Sequence, residues 1–279
     1  MTLSNFLETQ YINHALKGVN MPTAPTNLFF SFHSADPVDT GANEVTSTYL
    51  SGRTSYTASS FSTIATNGTN RRITNSAILN MGTTIAASPV GGITHLGIWN
   101  ASTSGNFLWV IRLEDSSGTA TPLVFGSGNS IQFAIGAIVL SLDILKWSIY
   151  MRDMQLNWVK GTAATAAIAT SYMGLHSLLL TDGTGTELTT TVRAAGRVAI
   201  ASSAWDALTT SGLATITKNT NNIDFGMSAG NATGYTQIGF WTAASAGNLI
   251  FAGTSLAPQN IATGDPVLFT AGSITAGFS

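Results

Sequence analysis

The side chains best suited to chemistry near neutral pH are four histidines, and the sequence places them far apart. They are His14, His33, His95 and His176. Imidazole has an ordinary pKa close to neutral, so it can act as an acid, a base or a metal ligand. No two of these histidines are near enough in the sequence to form a local metal pair. They therefore predict no catalytic or metal site by their spacing.

The acidic segment 36–44 resembles a calcium loop, but only loosely. A calcium loop places oxygen ligands at alternating positions, with a glycine turn and a final bidentate acid. Segment 36–44 contains Asp36, Asp39 and Glu44, and the corresponding residues 181–187 keep one aspartate and one glutamate. A polar turn is the preferred interpretation, and a bound cation is the alternative.

The motifs of known catalytic sites are absent from the sequence. There is no Gly-x-Ser-x-Gly elbow, no phosphate-binding glycine loop and no His-Glu-x-x-His. Thirteen acidic residues are scattered along the chain, and nothing marks two of them as a glycosidase pair. Cysteine is absent, which excludes disulfides, thiolate metal sites and cysteine nucleophiles. We predict no catalytic residues, no cofactor-binding residues, no metal ligands and no enzymatic activity.

Charged residues are scarce in this chain. They make up 9% of the sequence, against about 25% in a typical soluble domain. Serine, threonine and asparagine supply the polarity instead, and their short side chains lose little entropy when they are ordered. Such a composition suits a surface that other protein subunits cover. No basic cluster exceeds Arg71-Arg72, so we expect no nucleic-acid partner.

The sequence predicts neither a signal peptide nor a membrane-spanning segment. Residues 1–8 lack a basic start and a long apolar core. The most apolar run, residues 131–142, is too short to cross a bilayer. We therefore expect a cytoplasmic folding environment and no membrane partner.

The sequence is a tandem repeat of two similar halves. Residues 93–100 (Ile-Thr-His-Leu-Gly-Ile-Trp-Asn) correspond to residues 235–242 (Tyr-Thr-Gln-Ile-Gly-Phe-Trp-Thr). Further corresponding positions are Lys17-Gly18 with Lys160-Gly161, Gly52-Arg53 with Gly196-Arg197, Phe61 with Trp205, and Phe133 with Phe269. A register shared over this length is not a chance match. We predict two domains, residues 1–142 and residues 143–279.

Each half begins with a helical pattern. Apolar residues recur three and four apart between residues 3 and 16, with Ser4 as a candidate N-cap and Gly18 as a candidate stop. Residues 144–160 are also helix-like and are followed by Gly161. We therefore predict one helix at the start of each domain.

After each helix the sequence becomes typical of β-strands. The strands predicted in the first half are 27–34, 54–59, 72–81, 95–100, 107–113, 122–125 and 130–140. The predicted turns are Asp36-Pro37, Asn67-Gly68, Gly91-Gly92 and Ser104-Gly105-Asn106. Many short strands without alternating helices predict a mainly β fold. We expect two tandem antiparallel β-sandwich or jelly-roll-like domains, each preceded by an N-terminal α-helix.

The Gly-x-Trp element occurs once in each half. Within a strand, Gly97 and Trp99 face the same side of the sheet. The glycine therefore leaves room for a neighbouring aromatic ring or backbone segment. The preferred interpretation of Trp99 and Trp241 is core packing, and the alternative is that these rings stack on a sugar.

The first helix and the strand after it resemble a family of small tailed-phage virion structural proteins. The residues that carry the resemblance are Leu3-Ser4-Asn5-Phe6-Leu7-Glu8, Ile12-Asn13-His14, Thr26-Asn27-Leu28-Phe29-Phe30, Ser34-Ala35-Asp36-Pro37 and residues 93–99. Members of that family are described as tail-fibre or virion structural proteins, and some resemble capsid decoration proteins. The second half departs from the pattern at its helix, in residues 151–156. No functional residue is carried over from the family.

The resemblance implies a non-enzymatic bacteriophage virion structural protein that assembles in the host cytoplasm. The preferred hypothesis is a capsid decoration (cement) protein, which binds the major capsid protein or other virion proteins and clamps neighbouring capsid subunits. We expect a homo-oligomer, with a trimer favoured. The alternative is a tail fibre, collar or baseplate component that contacts the host surface. A third hypothesis, a glycan depolymerase, needs a pair of acids that the sequence does not mark.

Overall fold

The computed structural model describes residues 2–68, 70–115, 117–142, 147–179, 182–211 and 214–278. The chain divides into two compact units. Unit 1 consists of Met1–Glu8, Thr23–Leu142 and Leu156–Ala163, and unit 2 consists of Thr9–Pro22, Asp143–Gln155 and Ala164–Ser279. The division falls within both long helices, so each unit takes in a part of each helix.

The described part of unit 1 contains ten short strands, all paired antiparallel. They are β1 Thr2–Leu3, β2 Asn27–His33, β3 Thr54–Thr57, β4 Ala65–Asn67, β5 Asn70–Thr74, β6 Leu79–Thr83, β7 His95–Trp99, β8 Phe107–Arg112, β9 Ser130–Phe133 and β10 Val139–Leu142. A five-stranded sheet has the order β1-β8-β7-β2-β3. A three-stranded sheet has the order β10-β5-β4, and β6 pairs with β9. Strands β2, β7 and β8 carry much of the core, because nearly all of their side chains are buried.

The described part of unit 2 repeats this plan. Its strands are β11 Thr170–Leu179, β12 Gly185–Glu187, β13 Val198–Ala201, β14 Thr209–Ser211, β15 Ala214–Lys218, β16 Ile223–Met227, β17 Ala232–Trp241, β18 Leu249–Ile261, β19 Pro266–Phe269 and β20 Thr275–Phe278. The five-stranded sheet has the order β12-β11-β17-β18, with β13 also paired to β11. The remaining sheets are β14-β15-β20 and β16-β19. The predicted fold class, mainly β with antiparallel sheets, is therefore confirmed.

Four α-helices complete the described fold. They are α1 Asn5–Leu16, α2 Thr46–Tyr49, α3 Ile149–Val159 and α4 Thr189–Val192, and two 3₁₀ turns lie at Ala58–Ser60 and Ser202–Ala204. None of the helices among the described residues has the length and apolar character needed to cross a bilayer. The two long helices, α1 and α3, come before the β-rich part of each half, as the sequence predicts.

Helix α1 begins and ends where the sequence predicts. The Leu7 N–H donates to Ser4 Oγ at 3.3 Å, which is the bond of an N-cap serine. At the other end Gly18 has a φ of 66°, and the Val19 N–H donates to the Asn13 carbonyl at 3.2 Å. This bond reaches back six residues and closes the end of the helix, where glycine readily takes the left-handed conformation.

Helix α3 begins later than predicted. The Met151 N–H donates to Ser148 Oγ at 3.1 Å, so Ser148 is the N-cap and the helix starts at the next residue. Trp147 forms an isolated β-bridge with Phe251 and is not helical. The predicted start at residue 144 is therefore wrong for residues 147 and 148, and residues 144–146 lie outside the described part of the chain.

Two of the predicted strands, 72–81 and 130–140, each cover two shorter strands. Asn75 lies where the first one breaks, and its Nδ2 donates to the carbonyls of Ala77 at 2.9 Å and Ala134 at 2.8 Å. Its Oδ1 accepts from the Ile138 N–H at 2.8 Å. The buried side-chain amide thus takes the place of strand-to-strand bonds.

The predicted strand 122–125 is also wrong. Leu123 forms only an isolated bridge with Ile93, so this apolar run packs against one neighbour without extending a ladder. A short apolar run alone does not distinguish a paired strand from a covering segment.

Unit 2 has the same arrangement at Asn219. Its Nδ2 donates to the carbonyls of Asn221 and Thr270, both at 2.9 Å, and its Oδ1 accepts from the Ile274 N–H at 2.9 Å. The break in the strand pattern, which we call the kink, therefore occurs at the corresponding asparagine of both units.

We expect Asn75→Ala to lower the free energy of unfolding by about 2–3 kcal/mol, because the buried Ile138 N–H and two part-buried carbonyls lose their partners. Asn75 is 1% exposed. The control is Asn80→Ala, which removes an exposed side chain that accepts a single bond from the Gly82 N–H and should cost about 0.5 kcal/mol. Urea unfolding of both variants checks the difference. Equal losses would show that the Asn75 amide does not support the kink.

Candidate functional site

Each unit contains an arginine whose side chain is almost fully covered and joins a glutamate, a tryptophan and a surface loop. In unit 1 these residues are Glu44, Arg53 and Trp99, which we call the arginine clamp of unit 1. Arg53 Nε donates to Glu44 Oε1 and Arg53 Nη2 donates to Glu44 Oε2, both at 2.7 Å. The arginine side chain is 9% exposed and the glutamate side chain 26%. Two parallel hydrogen bonds between planar groups fix the orientation of the guanidinium, in addition to the attraction between the opposite charges.

The same guanidinium contacts the tryptophan ring and two backbone carbonyls. Arg53 Cζ lies 3.5 Å from the centroid of Trp99, which is a cation–π contact. Arg53 Nη1 donates to the carbonyl oxygens of Ala101 at 3.1 Å and Ser104 at 2.6 Å. Both carbonyls belong to the loop that joins β7 to β8. A single side chain therefore connects the core of the sheet to an exposed loop.

The loop 100–106 is held in one conformation by these bonds. Ser104 has a φ of 52°, a left-handed conformation that costs about 1–2 kcal/mol for a residue other than glycine. The Asn106 N–H closes the loop by donating to Asn100 Oδ1 at 2.7 Å. The residues at its tip, 102–105, are exposed. An exposed loop that is already ordered loses little entropy when a partner binds.

Unit 2 contains a second clamp made of Glu187, Arg197 and Trp241. Arg197 donates from Nε to Oε1 at 2.9 Å and from Nη2 to Oε2 at 2.8 Å, and its Cζ lies 3.9 Å from the tryptophan centroid. Its Nη1 donates to the carbonyls of Ala243 at 3.1 Å and Ala246 at 2.8 Å. Ala246 has a φ of 51°. The loop between β17 and β18 is therefore held in the same way.

A buried chain of hydrogen bonds lies beside the clamp of unit 1. Trp99 Nε1 donates to Ser31 Oγ at 2.8 Å, and Ser31 Oγ lies 2.7 Å from His33 Nε2. His33 Nδ1 lies 2.7 Å from the Ala42 carbonyl. Because a carbonyl only accepts, we assign the proton to Nδ1, and Ser31 then donates to Nε2. Burial lowers the pKa of His33, which keeps the ring neutral at pH 7.

The Ser31–His33 pair has the spacing of a nucleophile and its base, but the structure does not make it a catalytic site. Both side chains are 0% exposed, so a substrate cannot reach the hydroxyl. Both ring nitrogens of His33 are also engaged in hydrogen bonds. The pair therefore orders the core around Trp99.

The glycine of the Gly-x-Trp element makes room for this histidine. A Cβ added to Gly97 would lie 2.3 Å from His33 Nε2 and 2.9 Å from Phe107 Cε2. The same element in unit 2 places a Cβ on Gly239 at 2.7 Å from Trp241 Nε1. The prediction that the glycine leaves room for a neighbouring ring is confirmed, and in unit 1 the rings are an imidazole and a phenyl group.

The two tryptophans of the element are core residues, as the preferred interpretation predicts. Trp99 and Trp241 are 7% and 6% exposed, and an arginine covers one face of each. Sugar stacking needs an accessible ring face. The structure leaves no such face at either tryptophan, so that alternative is wrong for these two rings.

Segment 36–44 forms a polar turn, in agreement with the preferred interpretation. Asp36 Oδ1 accepts a backbone N–H two residues later, at 2.9 Å, and Glu44 is committed to the arginine of the clamp. In unit 2 the Asp182 side chain accepts a backbone N–H in the same way, at 2.8 Å. Residue 181 lies outside the described part of the chain.

The structure brings two of the four histidines together. His33 and His95 are direct partners across β2 and β7, and His95 Nδ1 lies 2.9 Å from Thr94 Oγ1. His14 and His176 are buried in unit 2. Within the described ranges, no three histidine, aspartate or glutamate side chains are grouped as metal ligands would be.

The ion pair of the clamp is not predicted from the sequence, although one feature of the sequence indicates it. Glu44 and Arg53 have no fixed spacing that would mark them as partners. Both nevertheless recur in the second half, as Glu187 and Arg197, in a chain with only 9% charged residues. A glutamate and an arginine that recur in both halves of a charge-poor repeat indicate a shared structural pair.

Comparison with known proteins adds the family. The family model described as "Podophage GP4 fiber I protein gp80" matches the chain in two segments, residues 2–141 and 146–277. No curated protein matches the chain significantly. The family description favours the fibre alternative over capsid decoration, and it agrees with the prediction of a non-enzymatic virion component. The chain therefore belongs to the podophage GP4 fiber I protein gp80 family, whose members are structural fibre proteins of the phage particle.

Proposed function

We propose that this fibre protein contacts the host surface through its two clamped loops, residues 100–106 and 242–248. The observation that carries the proposal is the recurrence of the clamp. In both units the arginine of the clamp binds two carbonyls of the loop that follows the Gly-x-Trp strand. Binding residues in β proteins are commonly found on loops that a rigid scaffold positions.

The two loops have the physical properties of a contact surface. Their tips, residues 102–105 and 244–247, are exposed and consist of small residues. Small side chains let a partner approach the backbone closely, and the clamp removes most of the loop entropy before binding. Two similar loops in one chain also allow two weak contacts to act together, which raises the overall affinity.

Adsorption of phage particles to host cells tests this proposal. The double variant Thr103→Arg, Ser245→Arg adds a long charged side chain to each exposed tip. We expect adsorption to fall by about tenfold or more, because a bulky group at a binding surface blocks close approach. The control is Ala207→Arg, at an exposed loop position of unit 2, which should adsorb normally. Both particle types must carry equal amounts of the protein, as measured on purified virions.

Two results would contradict the proposal. One is normal adsorption of the double variant with the protein present on the particle. The other is electron microscopy of labelled particles that places the chain on the head lattice, which would support capsid decoration instead.

We also propose that the chain acts as a homo-oligomer, with a trimer favoured, bound to other virion proteins. The support comes from the 9% charged residues and from exposed apolar side chains in unit 1. Ile85, Val90 and Val124 are all exposed, on two segments joined by the Ser88 to Phe125 backbone bond. Analytical ultracentrifugation of the purified chain should give three times the mass of one chain, and a monomer at micromolar concentration would contradict this.

A further inference from the structure

The clamps of the two units differ at one position beside the tryptophan. In unit 1 Ser31 is paired with Gly97 across β2 and β7. In unit 2 the residue paired with Gly239 across β11 and β17 is Gly174. The hydroxyl that links Trp99 to a histidine in unit 1 is therefore missing from unit 2.

This difference leaves polar atoms of unit 2 without protein partners. Trp241 Nε1 and both ring nitrogens of His176 have no hydrogen-bond partner among the described residues. The two side chains are 6% and 2% exposed, so bulk water does not reach them. A buried polar group without a partner costs about 1–3 kcal/mol, and such groups are rare in folded proteins.

These polar atoms lie close to one another around two glycines. A Cβ on Gly239 would lie 2.7 Å from Trp241 Nε1 and 3.0 Å from His176 Nε2. A Cβ on Gly174 would lie 3.2 Å from the same His176 nitrogen and 2.7 Å from Glu187 Oε1. The Thr189 hydroxyl lies 3.0 Å from the Gly174 Cβ position, and the Leu179 Cδ2 methyl lies 2.8 Å from that of Gly239. One N–H donor, one imidazole nitrogen, one carboxylate oxygen and one hydroxyl therefore border the side of the sheet where both glycines lack side chains, with a methyl group closing it beside Gly239.

The protonation of these groups suits a neutral ligand. Burial lowers the pKa of His176 to about 4, against opposition from Glu187, so the imidazole is neutral at pH 7. The carboxylate of Glu187 repels an anion at this place, and the Trp241 N–H repels a cation. What remains is a small neutral molecule that can both accept and donate.

We propose that unit 2 binds one internal water molecule between Gly174 and Gly239, where it replaces the hydroxyl of Ser31. The water accepts a hydrogen bond from Trp241 Nε1 and donates one to Glu187 Oε1. His176 Nε2 is its third hydrogen-bond partner. Buried waters in proteins typically make about three such bonds. This site exists in one unit only, so the two halves of the repeat differ in their internal solvation.

A high-resolution crystal structure of the full chain tests the proposal directly. We expect a water peak about 3 Å from Trp241 Nε1 and none at the corresponding place beside Trp99. Ser31→Gly should create a second water in unit 1, and Gly174→Ser should replace the water of unit 2 by its own hydroxyl. An empty site in the unchanged chain, or a direct bond from Trp241 Nε1 to His176 or Glu187, would overturn the proposal.

A comparison of two variants at the same position adds a solution measurement. Gly174→Ala and Gly174→Ser bring the same Cβ toward Glu187, so this steric contact is common to both, but only serine adds an oxygen that can accept from Trp241. We expect the unfolding equilibrium constant of the alanine variant to exceed that of the serine variant by about tenfold. Equal stabilities would overturn the proposal. If neither variant folds, the crystal structure of the Ser31→Gly variant tests the proposal, through the presence or absence of a second water in unit 1.

Discussion

Arg197→Ala is expected to lower the free energy of unfolding by about 3 kcal/mol, because it breaks a largely buried ion pair. The Glu187 carboxylate, with its side chain 30% exposed, would lose both of its arginine donors. The carbonyls of Ala243 and Ala246 would lose theirs as well. Guanidinium chloride unfolding measures the loss. Hydrogen exchange should also speed up in the loop between β17 and β18, because the bonds that hold it are removed.

A solvent-exposed ion pair provides the matched control. Arg112 and Glu114 are 3.7 Å apart, with side chains 51% and 40% exposed, and water screens such pairs. Arg112→Ala should therefore cost less than about 0.5 kcal/mol. The loss in the free energy of unfolding for Arg197→Lys should lie between those of Arg197→Ala and Arg112→Ala. Lysine keeps the charge, but it does not keep the two parallel hydrogen bonds or the stacking on the tryptophan ring. If Arg197→Ala cost no more than Arg112→Ala, the clamp would not be a stabilising element.

Gly97→Ala is expected to lower the free energy of unfolding by about 3 kcal/mol, the upper end of what overpacking a core usually costs. The new Cβ would lie 2.3 Å from His33 Nε2 and 2.7 Å from Ser31 Oγ. Neither group can move away freely, since both belong to the buried hydrogen-bond chain. Thermal or urea unfolding measures the loss. Near-ultraviolet circular dichroism should change too, because Trp99 donates to Ser31.

The control for this steric argument is Gly126→Ala. A Cβ there would meet only Asn129 Oδ1, at 3.3 Å, and the backbone of Gly126 is not left-handed. Alanine also reduces the freedom of the unfolded chain, which can stabilise a protein by about 0.4–1 kcal/mol. We therefore expect the free energy of unfolding of Gly126→Ala to be unchanged or slightly higher than that of the unchanged chain. A Gly97→Ala variant as stable as Gly126→Ala would show that the glycine is not needed for close packing.

The clamp and the loops it holds connect these stability predictions to the proposed function. Arg197→Ala should release the loop 242–248 from its fixed conformation, so a host contact made by this loop would have to order it first. That ordering costs about 1–2 kcal/mol for each residue whose backbone becomes fixed. Loss of the clamp is therefore expected to weaken adsorption even at temperatures where the protein remains folded.

Several features of the fold follow from local sequence patterns alone. The cap at Ser4 and the stop at Gly18 use residue types that favour those conformations by themselves. Short β-type runs separated by glycine turns predict antiparallel strands. The predicted turns at Gly68 and Gly91 have positive φ values, as expected for glycine. These features depend on neighbours in the sequence, so one sequence is sufficient to predict them.

The breaks in the predicted strands can be located only when the distant hydrogen-bond partners are known. The amide of Asn75 binds residues that are 59 and 63 positions away, and no local pattern reports such a partner. The β-type composition of residues 72–81 therefore predicts one strand where there are two. The domain boundary after residue 142 stays a prediction, since the compact units take in parts of both long helices.

By itself the sequence determined that the protein is a β-rich tandem repeat with a Gly-x-Trp core element, because composition, periodicity and internal similarity are properties of the chain. Only the tertiary structure decided which side chains meet. Strand pairing placed Ser31 opposite Gly97, and folding brought Arg53 onto Trp99. Such contacts depend on sheet register, where a shift of one residue would turn each side chain to the other face. The chemistry beside each tryptophan is for this reason a property of the folded sheet.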